Sequence, residues 1–201
     1  MAVAREETAW WPMSEEAAQR SDTELVRKAQ RDLEAFVDLY DRYVDAVFRY
    51  CNRRLPRAAA EDATSIAFLN AMRGIRKVDP DRFRFRPWLF AIAHNAVVDQ
   101  LRSRQHLPID DIKVEEAGPS LEDRVIGAER RQRLSRALAT LPPDQQHVMH
   151  LRLAGLPTSE IADVLGKSQG AVRVIHHRAV KRLREQLGDQ IFAASDRTEW
   201  S

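Results

Sequence analysis

The chain has 201 residues, with 32 Lys and Arg against 30 Asp and Glu, a net charge of +2, and 44% hydrophobic residues. That length fits one domain or two small ones, and a single cysteine, Cys51, leaves no basis for a disulfide framework or a cysteine-rich zinc site and reads as a small apolar filler. There is no run of about 18 apolar residues and no basic start leading into an apolar stretch, so neither a membrane span nor a signal peptide is expected, and the chain reads as soluble and cytoplasmic.

Charge is segregated along the chain. Residues 1–24 carry six acids against two bases, and 1–21 form a polar leader in which Trp10, Trp11 and Pro12 stand out. Its composition is that of a disordered segment, although paired indoles also suit a tail that docks on the body or on a partner. From Asp22 to Arg54 the apolar period is helical: Leu25, Val26 and Ala29, then Leu33, Phe36, Val37, Tyr40, Val44, Val47 and Phe48. The second set predicts a long amphipathic helix beginning near Asp32, with its aromatics in the core, ended by Pro56. A further helix is expected from about Ala59 to Ile75, with Ile66, Phe68, Leu69 and Met72 apolar.

Asp79, Pro80 and Asp81 read as a turn. The stretch Arg82-Phe83-Arg84-Phe85-Arg86-Pro87-Trp88 then alternates cations with aromatics, and a helix continues to about Arg104. Between Arg82 and Arg104 there are five arginines and one acid, Asp99. Single-stranded nucleic acid needs this mixture, because cations follow its backbone while rings stack on exposed bases. Phe83, Phe85 and Trp88 are as well suited to the core of a helical bundle. The arginines are not, since they are rarely buried without a partner.

Residues 106–126 have no sustained period, and from Leu107 to Ile126 they carry six acids against two bases; they read as a linker. Helical periodicity resumes after Arg124 through Leu134, Leu138 and Leu141. Pro142 and Pro143 break it, and Pro143 suits the first position of a helix that covers Asp144 to Ala154. The densest motif follows, from Thr158 to Arg184. A short apolar segment (Ile161, Ala162, Leu165) meets Gly166, which suits a left-handed helix end, and Ser168, which can cap the next helix. Val172, Ile175, Ala179 and Leu183 fall at i, i+3, i+7 and i+11, on one helical face. Small Ala162 lets the two helices cross closely, as a helix-turn-helix requires. From Lys167 to Arg184 there are six bases and no acid. Such a rail suits phosphates, and the first turns of the helix can carry side chains to base edges in the major groove. The plainer alternative is an amphipathic helix with a solvated basic face. The chain therefore reads as all-α in two modules, without internal repeats.

No catalytic constellation is evident, and neither an enzyme nor a cofactor is expected. His147 and His150 stand at i, i+3 without a third ligand close in sequence, so a solvent-facing or DNA-facing pair is expected rather than a metal site. His176 and His177 read as phosphate contacts. Asp110-Asp111 and Glu115-Glu116 fall in the linker and lack the shielded surroundings that catalysis needs.

Two of these stretches carry a family likeness. The run FRPWLFAIAHNAVVDQLRSR resembles the pattern F-R-x-W-L-x-x-I-A-x-N-x-x-x-D-x-x-R of extracytoplasmic-function sigma factors of bacterial RNA polymerase, within the sigma-70 family. Residues 141–184 resemble their C-terminal helix-turn-helix, and Ala60 to Thr64 with Phe68-Leu69 match the helix before the first motif. The resemblance implies a region 2 bundle (22–105) that melts and captures the minus-ten promoter element. It also implies a linker (106–126), a region 4 helix-turn-helix (127–188) that reads the minus-thirty-five element, and a tail (189–201). It places minus-ten contacts on Asn70, Asp79, Arg82, Phe83, Arg84, Trp88, Asn95, Asp99 and Arg102, and minus-thirty-five contacts on Thr158, Lys167, Ser168, Gln169, Arg173, His177, Arg178 and Lys181. Contacts with core polymerase fall on Glu61, Asp62, Ser65, Phe68 and Leu69. The implied partners are the clamp and flap parts of core RNA polymerase, double- and single-stranded promoter DNA, and an anti-sigma factor. The chain departs from the common pattern at Ser65-Ile66, where many members carry Gln-Glu, and at Ile175, where many carry a base. Two other readings stay open: a dimeric activator or repressor of duplex DNA, and a helical adaptor whose basic helix is only solvated.

Overall fold

Ser21 opens the first helix as its cap. Its hydroxyl accepts the Glu24 N–H at 3.3 Å while the Glu24 carboxylate accepts the Ser21 N–H at 2.7 Å, a reciprocal capping box. The structure is a computed structural model and describes residues 21–104 and 132–187. The expected leader up to residue 20, the linker and the tail after 188 lie outside the described residues.

Helix α1 (Asp22–Arg31) ends at Asp32, whose backbone turns extended and whose carboxylate accepts the Glu34 N–H. A single 3-10 turn, Leu33–Phe36, then feeds α2 (Val37–Asn52), so the long helix expected near Asp32 begins with one tightened turn. Pro56 precedes α3 (Arg57–Gly74), a second 3-10 turn covers Ile75–Lys77, and α4 runs Phe85–Arg104. The buried face of α3 is made of small residues, Ala60, Ala63, Ala67 and Ala71, at i, i+3, i+7 and i+11. This smooth face lets α2 and α4 approach closely, and Leu39, Val47, Tyr50, Leu89 and Phe90 fill the space between. Cys51 is buried in the same core, and burial pushes its thiol up to about 11, in keeping with an apolar filler. Tyr40, expected in this core, is instead 42% exposed, and Val37 of the same apolar period is 52% exposed. The apolar stripe of α2 is wider than the face that α3 and α4 cover.

In the second half, 132–139 is helical (α5), followed by α6 (Pro143–Leu153), α7 (Thr158–Leu165) and α8 (Gln169–Leu187). Pro143 takes the first position of α6, where its missing N–H costs nothing. Gly166 ends α7 in the left-handed conformation (φ 61°, ψ 33°), and the Lys167 N–H returns to the Ala162 carbonyl at 3.0 Å. Ser168 then caps α8 by accepting the Ala171 N–H at 3.1 Å. Ala179 and Leu183 of α8 bury against Leu138, Leu141 and Met149.

The two halves are in contact. Val148, Leu151, Leu156, Ile161, Ala162 and Val172 belong to the same buried cluster as Leu89, Phe90 and Ala93 of the first half, with α7 lying on α4. Nothing in the linker's composition foreshadowed this. Among the described residues there is no strand, and no helix is long and apolar enough to cross a membrane.

Gly74 permits one close approach: a Cβ there would sit 2.9 Å from Cζ2 of Trp88. Gly74→Ala should therefore displace the Trp88 ring and destabilise the first module by about 1–3 kcal/mol, the usual range for overpacking. Urea denaturation followed by tryptophan emission checks this, and an unchanged midpoint with unchanged emission would show that the ring is loosely held.

Candidate nucleic-acid interface

The first face is the outer side of α8. Gln169, Arg173, Arg178, Lys181 and His177 are exposed there, opposite the Val172/Ala179/Leu183 stripe that anchors the helix. Thr158, half-buried at the start of α7, borders a cleft of about 590 Å³ with Arg152, Arg173, His176, His177, Val180 and Arg184. Arg152 is held there by the Leu156 carbonyl at 3.2 Å. Such a cleft, rimmed by guanidinium groups, suits the phosphate backbone. His176 differs from its neighbours because burial, then Arg152 and His177, lowers its pKa. It offers a neutral N–H rather than a cation. Lys167 is engaged with Asp144 at 3.2 Å, and the Ser168 hydroxyl is spent largely on the cap. Val174, which the sequence reading passed over, is 49% exposed among these cations. Its position off the buried stripe was readable from the periodicity, and an apolar side chain on a reading face suits a thymine methyl group.

The second face surrounds the start of α4. Phe85 is core, edge-on to Phe36, whereas Phe83 and Trp88 are half-buried and meet edge to face with centroids 4.9 Å apart. The Arg82 side chain is 91% exposed, with Asp79 at 3.9 Å. Asp79 also accepts the Asp81 N–H at 3.0 Å and so holds the turn. Asn70, Asn95, Asp99 and Arg102 are exposed, and Trp88, Asn95 and Arg102 follow one side of α4. Arg84 is occupied: it pairs with Asp163 at 3.0 Å and Glu160 at 3.4 Å, both on α7. Arg86 donates to the Gly155 carbonyl at 2.7 Å and lies 3.6 Å from Glu160.

A third surface is apolar. On α3, Glu61, Asp62, Ser65, Ile66 and Leu69 are exposed, the last two by 41% and 47%. Phe68, expected among the contact residues, is only 4% exposed; it lies beneath Tyr40, with centroids 4.8 Å apart, and supports the face from below. With Val37 and Tyr40 this makes an exposed apolar patch on two packed helices, the usual mark of a protein-binding surface.

Comparison with known proteins bears on all three surfaces. The chain matches Sigma-70 region 2 over residues 39–107 and Sigma-70, region 4 over 137–185. It is 34% identical to the RNA polymerase sigma factor CarQ of Myxococcus xanthus, over 78% of this chain and 91% of that protein. The chain belongs to the extracytoplasmic-function sigma factors of the sigma-70 family. The sigma factor BldN of Streptomyces coelicolor is 39% identical over 83% of this chain, which spans 66% of the BldN length. Among solved structures, CnrH in complex with the cytosolic domain of CnrY superposes with a TM-score of 0.67 at 25% identity, over 84% of this chain and 98% of that one. The α8 face thus lies in region 4, and the Arg/aromatic and apolar faces lie in region 2.

Between the two regions of this sigma factor sits a histidine cluster. His147 and His150 are neither solvent-facing nor DNA-facing as expected: His150 is 6% exposed, and His147 of α6 packs edge-on against His94 of α4 at 4.6 Å. The cause is that this side of α6 is the side that docks on region 2. Tyr50 lies 2.9 Å from His94 Nδ1, and Arg54 donates to the Tyr50 oxygen at 3.2 Å, leaving the phenol proton for a neutral His94. Burial, then His147 and Arg54, brings His94 down to about 4; burial, then Arg54, Arg53 and His147, brings His150 down to about 3. For His147, burial and Arg54 outweigh Asp144. Among the described residues no group of three or more His, Cys, Asp or Glu is placed to hold a metal.

These depressed values set the sign of a pH effect. The unfolded chain takes up these protons near pH 6.5 and the folded chain only near 3–4, so stability is complete above about 6.5 and is lost as pH falls through that window. The unfolding temperature should drop steadily from pH 7 to pH 5, before carboxylates titrate, and His150→Leu should flatten the slope. A wild-type unfolding temperature constant over that range would place these histidines in water.

Proposed function

We propose that this chain binds core RNA polymerase through the apolar patch of Val37, Tyr40, Ile66 and Leu69 with Glu61, Asp62 and Ser65, and directs it to promoters. Region 4 reads the minus-thirty-five element as duplex, with Gln169, Arg173, Val174, His177 and Arg178 toward base edges and Lys181 and the Arg152/Arg184 cleft on phosphates. Region 2 takes the minus-ten element as an opened strand: Arg82 and Arg84 follow its backbone while Phe83 and Trp88 offer ring faces. Opening costs a few kcal/mol per unstacked base, recovered when a flipped base is held in a pocket and others stack on protein. The turn from Asp79 to Phe85 is where that pocket is assigned. The observation that carries this reading is the half-buried Phe83–Trp88 pair between exposed cations, since a reader of duplex DNA has little use for a stacking platform.

The acidic linker would follow the path of RNA through the polymerase, whose charge it shares. The sigma factor itself makes and breaks no bonds, and works in the cytoplasm where polymerase is. CnrH was solved with the cytosolic domain of CnrY; by likeness to it we assign this chain a protein partner of the anti-sigma kind.

Run-off transcription with core polymerase tests the assignment. Core plus this chain should initiate at one class of promoter, and core alone should not. Arg173→Ala should cost about 1–3 kcal/mol and relax preference at one base pair, whereas Lys181→Ala should weaken all sequences alike and lower the salt slope. Uracil in place of the thymine under Val174 should cost about 0.8 kcal/mol, one buried methyl. No stimulation of core on any promoter would overturn the reading, and equal sequence-blind losses from both substitutions would demote Arg173 to a phosphate contact.

A further inference from the structure

The turn that carries Arg82 and Phe83 lies outside any helix, and a binding loop is only as well defined as the neighbours that hold it. Residues 78–84 leave α3 through the second 3-10 turn, and carbonyls at such an end need partners from elsewhere. Helix α1 supplies them. The Gln30 side-chain amide donates to the Ile75 carbonyl at 2.8 Å and to the Val78 carbonyl at 2.8 Å, engaging both of its N–H groups. One turn earlier on α1, Arg27 forms an ion pair with Asp81, whose own N–H is accepted by Asp79 at 3.0 Å. The Arg82 N–H then returns to the Asp79 carbonyl at 3.2 Å. Helix α1 has firm footing for this. Leu25, Val26 and Ala29 are buried, and Asp22 takes the Arg42 guanidinium of α2 at 2.7 Å. Tyr43, beside Arg42, packs on Phe85 at the start of α4, with ring centroids 5.5 Å apart. The segment 78–84 is thus tied to α1 directly at its start and through α2 at its end.

We propose that Gln30 is a positioning residue for strand capture: from behind the turn it sets residues 78–83 in the arrangement that receives the opened strand, with Arg27 as a weaker second tie through Asp81. This rests on the strand-capture reading above. Both Gln30 N–H groups are engaged with backbone, so the residue acts on the strand through the turn it holds. The chemistry at this position is narrow. A carboxylate of the same shape would face two carbonyl oxygens, and a thioether of the same length would donate nothing to them. The Arg27–Asp81 pair is 45% and 67% exposed, so water and salt screen it and it holds the turn less firmly. A turn already in the receiving arrangement loses less freedom when the strand arrives, which raises affinity without adding a contact. It also raises discrimination. Bases are told apart only where Phe83, Arg82 and the turn backbone keep one geometry, whereas phosphates are held by cations in many geometries.

The test uses the complex of core polymerase with the full chain. Its probes are a single strand from a promoter at which the chain initiates in run-off transcription, and the same strand with its minus-ten bases permuted. Gln30→Met keeps the side-chain length and removes both donors. If the receiving arrangement falls to about a tenth of the population, affinity for the cognate strand falls about tenfold. The permuted strand, held by its phosphates, should weaken by less than about twofold, so the ratio of the two affinities should fall about fivefold or more. A loss of stability alone would lower both affinities together and leave that ratio unchanged. Amide hydrogen exchange over residues 75–82 should quicken in the free variant while that of α2 and α8 stays as it was. Arg27→Gln lies on the exposed side and should lower the ratio by about twofold. Lys28→Gln removes a cation from the same helix, but one paired with Asp38 of α2, and should leave the ratio alone. An unchanged ratio in Gln30→Met, or an equal fall in Lys28→Gln, overturns the positioning role; if Gln30→Met does not fold, the ratio in Arg27→Gln decides. A wild-type complex that binds both strands alike would overturn the strand-capture reading and the positioning role with it, while exchange over 75–82 would still report whether Gln30 holds the turn.

Discussion

The seating of α7 on α4 brings the carboxylates of Glu160 and Asp163 beside the guanidinium groups of Arg84 and Arg86. Most of the architecture is arranged around that seam between region 2 and region 4. Arg84 and Asp163 are each about half exposed, so their pair is a surface pair of about 0–1 kcal/mol, whereas Glu160 is largely out of water between Arg84 and Arg86. The apolar contacts beneath them, from Leu151, Leu156 and Ile161 onto Leu89 and Phe90, set the register and bring the charges into line.

That register depends on small residues and caps rather than on any large side chain. The alanine face of α3 brings α4 close, Gly74 admits the Trp88 ring, and Trp88 in turn supports Phe83 at the rim. On the other side, the left-handed Gly166 and the Ser168 cap fix the angle between α7 and α8. Because α7 lies on region 2 while α8 faces outward, the same motif latches one half of the molecule and leaves the duplex-reading helix free.

Periodicity made the local elements legible. The helix starts at Ser21, Asp32 and Pro143, the left-handed Gly166 and the buried face of α8 all follow from residue type and spacing. So did the cation–aromatic character of residues 82–88, though not which ring is core: Phe85 is buried and Phe83 is not, a distinction made by the first turn of α4 rather than by the alternation. Tertiary contacts were out of reach. The exposure of Tyr40, the burial of Phe68 and the withdrawal of His150 from solvent each depend on which helix lies opposite. The docking of α7 on α4 joins residues nearly eighty positions apart. The acidic linker pointed to separate modules because composition reports on the linker, not on whether the faces it joins fit together.

The central claim is that region 2 takes the minus-ten element as an opened strand, with the Phe83–Trp88 pair beside the exposed Arg82. Binding of the complex of polymerase and this chain to a template already unpaired over the minus-ten element, set against the matched duplex, reads it directly. The account predicts tighter binding to the unpaired template and loss of that preference on Arg82→Ala at an unchanged unfolding temperature. Equal binding of both templates by the wild-type complex would contradict it.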